Sequence, residues 1–239
     1  MDDIKKIAII VAAGSGSRMG GPVPKQFQNL AGIPLAVHPG LRFREFDPDM
    51  ELIYVIGSGT AQIWESLLKI HFPSGGWRLC MGGKSRFESV RNGIRSIRDE
   101  DALVAIHDGA RPFIDPQLIH LGFLKAFEKG NAVFSVPVKE SIRIQKEGSQ
   151  SHALDRSLYH FVQTPQIFWQ KDLKKVYQQE DDAQFSDDAS VMELAGHTIH
   201  LVEGNFQNIK VTTPEDWWVA QQILEQRKEA EKRHAHSDQ

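Results

Sequence analysis

The stretch Ile7 to Lys25, IAIIVAAGSGSRMGGPVPK, limits what this chain can fold into more than any other. Ile7 to Val11 is a continuous apolar run rich in β-branched side chains, the pattern of a strand buried on both faces of a mostly parallel sheet. The run then stops abruptly. Ala12 and Ala13 carry almost no side chain, and Gly14 and Gly16 permit backbone conformations closed to other residues. Two further glycines and two prolines lie between Arg18 and Lys25. Successive N–H groups in such a loop can form a nest for phosphate oxygens, and Arg18 and Lys25 add the charge a triphosphate needs. Two standard phosphate loops do not fit. G-x-G-x-x-G requires glycine where this chain has Met19, and a Walker A loop requires G-K-[ST], whereas Lys25 stands in Pro24-Lys25-Gln26. Spacing alone leaves an equal reading, a glycine-rich strand-to-helix turn with incidental basic residues.

Downstream, apolar runs alternate with helical patterns, which predicts an α/β protein whose parallel or mixed sheet is covered by helices. Strands are expected at Leu52 to Ile56, Trp77 to Met81 and Leu103 to Ile106, with a helix over Ala61 to Ile70. Ser85 and Glu88 suit a capping box ahead of a helix whose buried stripe is Val90, Ile94 and Ile97. Asp115-Pro116 opens another helix, with Leu118, Ile119, Leu121, Leu124 and Phe127 as its apolar face. After a strand at Ala132 to Val138, Lys139 to Gln145 alternates polar and apolar residues, Lys146 to Ser151 is hydrophilic, and Leu158 to Val162 returns. This reads as a hairpin arm with little core of its own, suited to packing on another subunit or to standing in solvent. A helix at Lys171 to Gln179 follows, then the acidic turn Ser186-Asp187-Asp188, a helix at Ala189 to Ala195, strands at Thr198 to Glu203 and Asn208 to Val211, and a last helix from Thr213-Pro214. The tail, 234–239, is expected to be disordered. His197 and His200 have H-x-x-H spacing, but residues three apart on a strand face opposite sides, which argues against zinc.

A balance of 28 basic against 31 acidic residues gives a net charge of −3, so no global field favours nucleic acid. The single cysteine, Cys80, excludes an internal disulfide framework and fits a reducing compartment. No apolar run reaches the roughly 20 residues needed to span a bilayer, and MDDIKK does not resemble a secretory signal. A cytoplasmic protein without membrane partners is expected.

The strand ending at Ile106 runs into His107-Asp108-Gly109-Ala110-Arg111-Pro112. Ligands of open α/β sheets collect at the carboxyl ends of strands, which brings this segment toward the first loop and makes Asp108 a candidate for Mg²⁺. The polar positions that stand out are Arg18, Lys25, Arg86, Ser89, Asp108, Arg111, Arg156, Asp187 or Asp188, and Lys210. They are mostly cations, and no Ser-His-Asp order, cysteine nucleophile or paired carboxylate competes with them. This pattern favours phosphoryl or nucleotidyl transfer. A substrate phosphate can act as its own nucleophile, and fixed cations can stabilise the charge that develops as pyrophosphate leaves.

Five motifs in order, Ala12-Ala13-Gly14-Ser15-Gly16-Ser17-Arg18-Met19 with Pro24-Lys25-Gln26, Gly82-Gly83 with Arg86 and Ser89-Val90, His107 to Pro112, Thr164-Pro165-Gln166, and Asn208 to Thr212, resemble the 2-C-methyl-D-erythritol 4-phosphate cytidylyltransferases of isoprenoid precursor synthesis. The resemblance spans about residue 6 to about residue 220. It implies a nucleotidyltransferase fold, Rossmann-like, as one domain over 1–239 with a protruding β-hairpin arm at 139–160. It also implies cytidylyl transfer from CTP to a polyol phosphate with Mg²⁺ or another divalent cation. Arg18, Lys25 and Lys210 would stabilise the transition state, while Ala12, Ala13, Gly14 and Gly16 wrap the nucleotide. Gly83 and Ser89 would read the cytosine, with Arg86 supporting that loop. Asp108 would sit at the metal and the acceptor, with Arg111 ordering that strand end. The arm would embrace a second subunit in a homodimer, placing Ser141 and Arg156 on the acceptor across the interface. Ser141, Gly109 and Thr213 depart from the family's commonest residues there, and ribitol 5-phosphate cytidylyltransferases share the nucleotide motifs. A non-catalytic nucleotide-binding module would keep the glycine loop but could lose Arg18, Lys25 and Lys210.

Overall fold

In the computed structural model, which describes residues 4–14, 23–99, 101–146, 148, 150–178 and 185–237, the first apolar run becomes an inner strand of a seven-stranded sheet. In chain order the elements are β1 (Lys6–Ala12), the short pair β2 (Asn29–Leu30) and β3 (Ile33–Pro34), α1 (His38–Phe46), β4 (Glu51–Ile56), α2 (Ala61–His71), β5 (Trp77–Met81) and α3 (Arg86–Ser96). Then come β6 (Leu103–Asp108), α4 (Pro116–Lys129), β7 (Asn131–Pro137), β8 (Arg143–Ile144), β9 (His152–Ala153), β10 (His160–Trp169), α5 (Gln170–Val176), α6 (Asp188–Leu194), β11 (Leu201–Glu203) and α7 (Pro214–Ser237).

The sheet order is β11-β7-β10-β6-β1-β4-β5, and β10 alone runs against its neighbours. The chain leaves β1 toward β4 and β5, then returns to lay β6 on the other side of β1, with Val11 paired to Asp108. The carboxyl ends of β1 and β6 therefore flank a topological switch point, where open α/β sheets bind ligands.

Alternation along the strands builds two cores. Ala8, Ile10, Leu52 and Tyr54 meet Phe43 of α1, Trp64 and Leu68 of α2, and Phe123 of α4. On the opposite face Ile7, Ile9, Ile53 and Val55 meet Val90 and Ile94 of α3, Leu173 of α5 and Val191 of α6. Burying each such side chain is worth about 1.5–3 kcal/mol, so a charge at Ile9 or Tyr54 would abolish folding. A third cluster seats Ala220 and Ile223 of α7 against Leu30, Leu35, Phe113 and Val211.

Several expectations are corrected. Asn208 to Val211 is not a strand. It is irregular backbone, tied to the end of β6 by the Val211 N–H donating to the Ala110 carbonyl at 2.8 Å. The buried stripe of α4 is Ile119, Gly122, Phe123 and Ala126, whereas Leu121, Leu124 and Phe127 are exposed. The 3.6-residue period carries the stripe through the small residues Gly122 and Ala126, which the choice of large apolar residues passed over. Helix α5 ends at Val176, and α7 continues to Ser237 into the stretch expected to be a tail. Helix α1 had no sequence signal, because His38-Pro39-Gly40 reads as a breaker. Proline is tolerated in the first helical turn, and a Cβ at Gly40 would fall 2.1 Å from the Tyr54 hydroxyl, so glycine is what lets α1 lie on the sheet. The arm does contain a hairpin, with Arg143 paired to Ala153 and Ile144 to His152.

Candidate active site

The loop after β1 and the loop after β5 form the first wall. A Cβ on Gly82 would stand 2.5 Å from the Ala13 Cβ and 3.0 Å from the Ser89 hydroxyl oxygen, so this approach needs glycine. Ser85 caps α3 by accepting the Glu88 N–H at 3.1 Å, while the Glu88 carboxylate turns to the Lys84 N–H. Ser89, nearly buried, donates to the Ser85 carbonyl at 2.8 Å and accepts the Gly83 N–H at 3.1 Å. The Gly83 loop is thus shaped by Ser89. Gly82→Ala should push the two loops apart at a cost of about 1–3 kcal/mol, as urea unfolding would read; unchanged stability would contradict this packing.

The opposite wall comes from the end of β6 and from residues 208–212. Asp108 is 7% exposed and gathers three cations: Lys210 Nζ at 2.9 Å and Arg111 Nε at 3.6 Å from Oδ2, and Arg86 Nε at 3.7 Å from Oδ1. Burial alone would raise the Asp108 pKa, but Arg86, Lys210 and Arg111 together outweigh it and hold the carboxyl well below the usual range. Arg111 also donates to the Asn208 carbonyl at 2.8 Å, and Asn208 donates to the Thr164 carbonyl at 2.9 Å. Asp216 accepts the N–H groups of Thr212 and Thr213 at the start of α7. These bonds fix the irregular segment that carries Lys210. Lys25, on a single 3-10 turn (Lys25–Phe27), donates to the Val211 carbonyl at 2.7 Å.

Behind this wall lies a relay that the sequence did not reveal. Thr164 Oγ1 accepts the Asp108 N–H at 3.0 Å and lies 3.1 Å from His107 Nδ1, while His107 Nε2 lies 3.0 Å from the Arg111 carbonyl. Burial pushes the His107 imidazole down to about 4 from an ordinary 6.5, against the upward pull of the Arg111 carbonyl and Asp108. A neutral ring that donates from Nε2 and accepts the Thr164 hydroxyl at Nδ1 satisfies every partner. Between those two pH values the unfolded chain binds a proton that the folded chain refuses, so stability is lost as pH falls through the window and levels off below it. The shift is worth on the order of 3 kcal/mol. His38, buried and also lowered, adds a loss of the same sign. Urea unfolding at about pH 7.5 and about pH 5 should show about 2 kcal/mol of this difference, and His107→Gln should remove most of that. An undiminished difference in the variant would contradict the neutral buried imidazole.

Two clefts open between these walls. The first, ≈ 560 Å³, is lined by Ala13, Lys25, Gly83, Ser89, Asp108 and Lys210 among others, and Ala12, Gly14 and Arg86 also border it. The second, ≈ 460 Å³, lies toward α6 and is bordered by Arg111, Thr164 and Asp187. Arg86, Asp108 and Lys210 belong to both. Ser141 and Arg156 line neither; they are exposed on the arm, where Arg156 donates to the Lys139 carbonyl. Gly16 and Arg18 lie outside the described residues.

Among known families, IspD, 2-C-methyl-D-erythritol 4-phosphate cytidylyltransferase, matches residues 6–226. The chain belongs to this family. A 2-C-methyl-D-erythritol 4-phosphate cytidylyltransferase of Alkaliphilus oremlandii is 37% identical over 96% of this chain and 99% of its own length. Its counterpart in Phocaeicola vulgatus is 40% identical over 90% and 98%. The fold also matches a crystal structure of 4-diphosphocytidyl-2C-methyl-D-erythritol synthase from Anaerococcus prevotii, with TM-score 0.81 and 24% identity over 94% of this chain and 97% of that one. As an IspD member the chain has the mixed, mostly parallel sheet flanked by helices that its sequence led us to expect.

Proposed function

We propose that this protein transfers the cytidylyl group of CTP to 2-C-methyl-D-erythritol 4-phosphate, releasing pyrophosphate, a step of isoprenoid precursor synthesis. The observation that carries this reading is the meeting of two clefts at one charged centre, the cations Lys210 and Arg86 about the Asp108 carboxylate. The nucleotide occupies the first cleft, with its base at Gly83 and Ser89 and its phosphates along Ala12 to Gly14 and Lys25. The acceptor enters from the second, toward Asp108 and Arg111. A phosphate oxygen of the acceptor forms a bond to the α-phosphorus of CTP while the bond from that phosphorus to the β-bridging oxygen breaks, and the electron pair leaves on pyrophosphate. The second pKa of the acceptor phosphate, near 6, leaves it ionised at neutral pH, so no protein base is needed. Lys25, Arg18 and Lys210 stabilise the charge that spreads over the five-coordinate phosphorus and the leaving group.

A divalent cation such as Mg²⁺ fits this donor set. No cluster of three metal-ligating side chains exists among the described residues, but Mg²⁺ in nucleotide enzymes takes one or two carboxylates plus substrate phosphates, and Asp108 faces the shared centre. Bound there, the cation would neutralise phosphate charge and draw the two substrates together.

The arm supports a homodimer. Leu158 is 76% exposed and Phe161 56%, beside exposed Tyr159 and Val162, a patch that suits a second copy of the chain. Ser141 and Arg156 would then serve the acceptor phosphate of the neighbouring subunit. No helix among the described residues is long and apolar enough to cross a membrane. The lone thiol and the CTP requirement support a cytoplasmic reaction. Pyrophosphate release with CTP, Mg²⁺ and either methylerythritol phosphate or ribitol 5-phosphate tests the assignment. Turnover should favour methylerythritol phosphate by at least about 100-fold in kcat/KM. Preference for ribitol 5-phosphate would reassign the acceptor, and inactivity with both would refute the enzyme.

A further inference from the structure

Asp188 is an ionisable group that the proposed chemistry leaves unused, and it is fully buried. It opens α6, and Asp187 beside it accepts the Ser190 N–H as the helix cap. The Asp188 carboxylate instead takes the fork of Arg86: Nη1 lies 2.9 Å from Oδ1 and Nη2 2.6 Å from Oδ2. The Tyr177 hydroxyl donates to Oδ1 at 2.6 Å, and its ring stacks on Phe87 at 4.8 Å. Burial, with Asp188 beside it, raises the Tyr177 pKa well above its ordinary value, so the hydroxyl remains a donor. With both terminal nitrogens of Arg86 occupied, only Nε faces Asp108, at 3.7 Å, and Lys210 keeps the closer place at 2.9 Å.

We propose that Asp188, supported by Tyr177, is a positioning residue that restrains Arg86 and so leaves the Asp108 carboxylate to Lys210 and the acceptor side of the reaction centre. A bidentate arginine–carboxylate pair fixes direction as well as distance. Without the Asp188 charge, the fork of Arg86 turns to the nearest remaining anion, Asp108, and draws it from Lys210. The hydrogen bonds that shape the base loop, Gly83 to Ser89 and Ser89 to Ser85, do not include Asp188. The defect therefore falls more heavily on the acceptor than on the nucleotide.

The inference rests on the cytidylyl-transfer reading, and wild-type turnover tests that reading separately. In Asp188→Asn the KM for methylerythritol phosphate should rise and kcat should fall, together costing roughly 10- to 100-fold in kcat/KM, while the Kd for CTP measured by calorimetry stays within about twofold. Tyr177→Phe keeps the ring stack and should show the same split at about threefold, so the test survives if Asp188→Asn folds poorly. Arg86→Met with Asp188→Leu replaces the buried pair by apolar groups, and its acceptor kcat/KM should equal that of Arg86→Met alone, since Asp188 acts only through Arg86. Equal losses toward CTP and acceptor in the single variants, or a double variant worse than Arg86→Met, would reduce Asp188 to a scaffold residue and overturn the proposal.

Discussion

Lys25→Ala should lower turnover roughly 10²- to 10³-fold while weakening CTP binding less than about threefold. The ammonium is held in advance, with Nζ at 2.7 Å from the Val211 carbonyl on a turn that borders the first cleft. A charge fixed before the reaction requires no reorganisation as the α-phosphorus becomes five-coordinate, so its value is largest in the transition state. In the proposed complex the resting triphosphate would keep the backbone of Ala12 to Gly14 and the Lys210 charge, which limits the expected loss in affinity. Rapid-quench turnover beside calorimetric CTP titration separates the two quantities. Equal losses in both would mean that Lys25 holds only the ground state.

Asp108→Asn should cost at least about 100-fold in turnover and about 1–3 kcal/mol in stability near neutral pH. The change preserves shape but leaves Arg86, Arg111 and Lys210 facing one another without their shared anion. The stability loss is modest because the Lys210 side chain is 42% exposed and solvent screens part of the repulsion. Its pH dependence has a definite sign. Asp108 ionises in the folded protein well below the range of an unfolded aspartate, so its stabilisation is fully present above about pH 4 and is lost as pH falls below that value. Wild type and variant should therefore differ in denaturant midpoint near neutrality and converge in acid. A difference that persists in acid would contradict the ion-pair account.

Much of this architecture was legible because periodicity reports burial. The apolar runs at Ile7, Leu52, Trp77 and Leu103 are strands of the main sheet, and the polar segment after Ile106 does border the first cleft. Long-range pairing was not legible. Nothing near Asp188 in sequence shows that its carboxylate meets Arg86, 102 residues away, or that Thr164 bonds both Asp108 and His107. Such contacts depend on which strands are neighbours, and β10 comes to lie beside β6 only after the arm has gone out and back. Asn208 to Val211 was misread for a related reason. Val211 is apolar because it packs against α7, and the bonds of Asn208 with Arg111 and Thr164 aim Lys210, so a largely buried irregular segment mimics the pattern of a short strand.

The most direct measurement is an isotope transfer. The acceptor, methylerythritol phosphate carrying ¹⁸O in its phosphate, is incubated with CTP, Mg²⁺ and the protein, and the products are read by phosphorus NMR. If the acceptor phosphate attacks the α-phosphorus where the two clefts meet, ¹⁸O appears in the bridge of the product diphosphate and shifts the α-phosphorus resonance. The pyrophosphate released is then unlabelled. Label in the pyrophosphate, an unshifted α-phosphorus in the product, or CTP left intact would contradict the account.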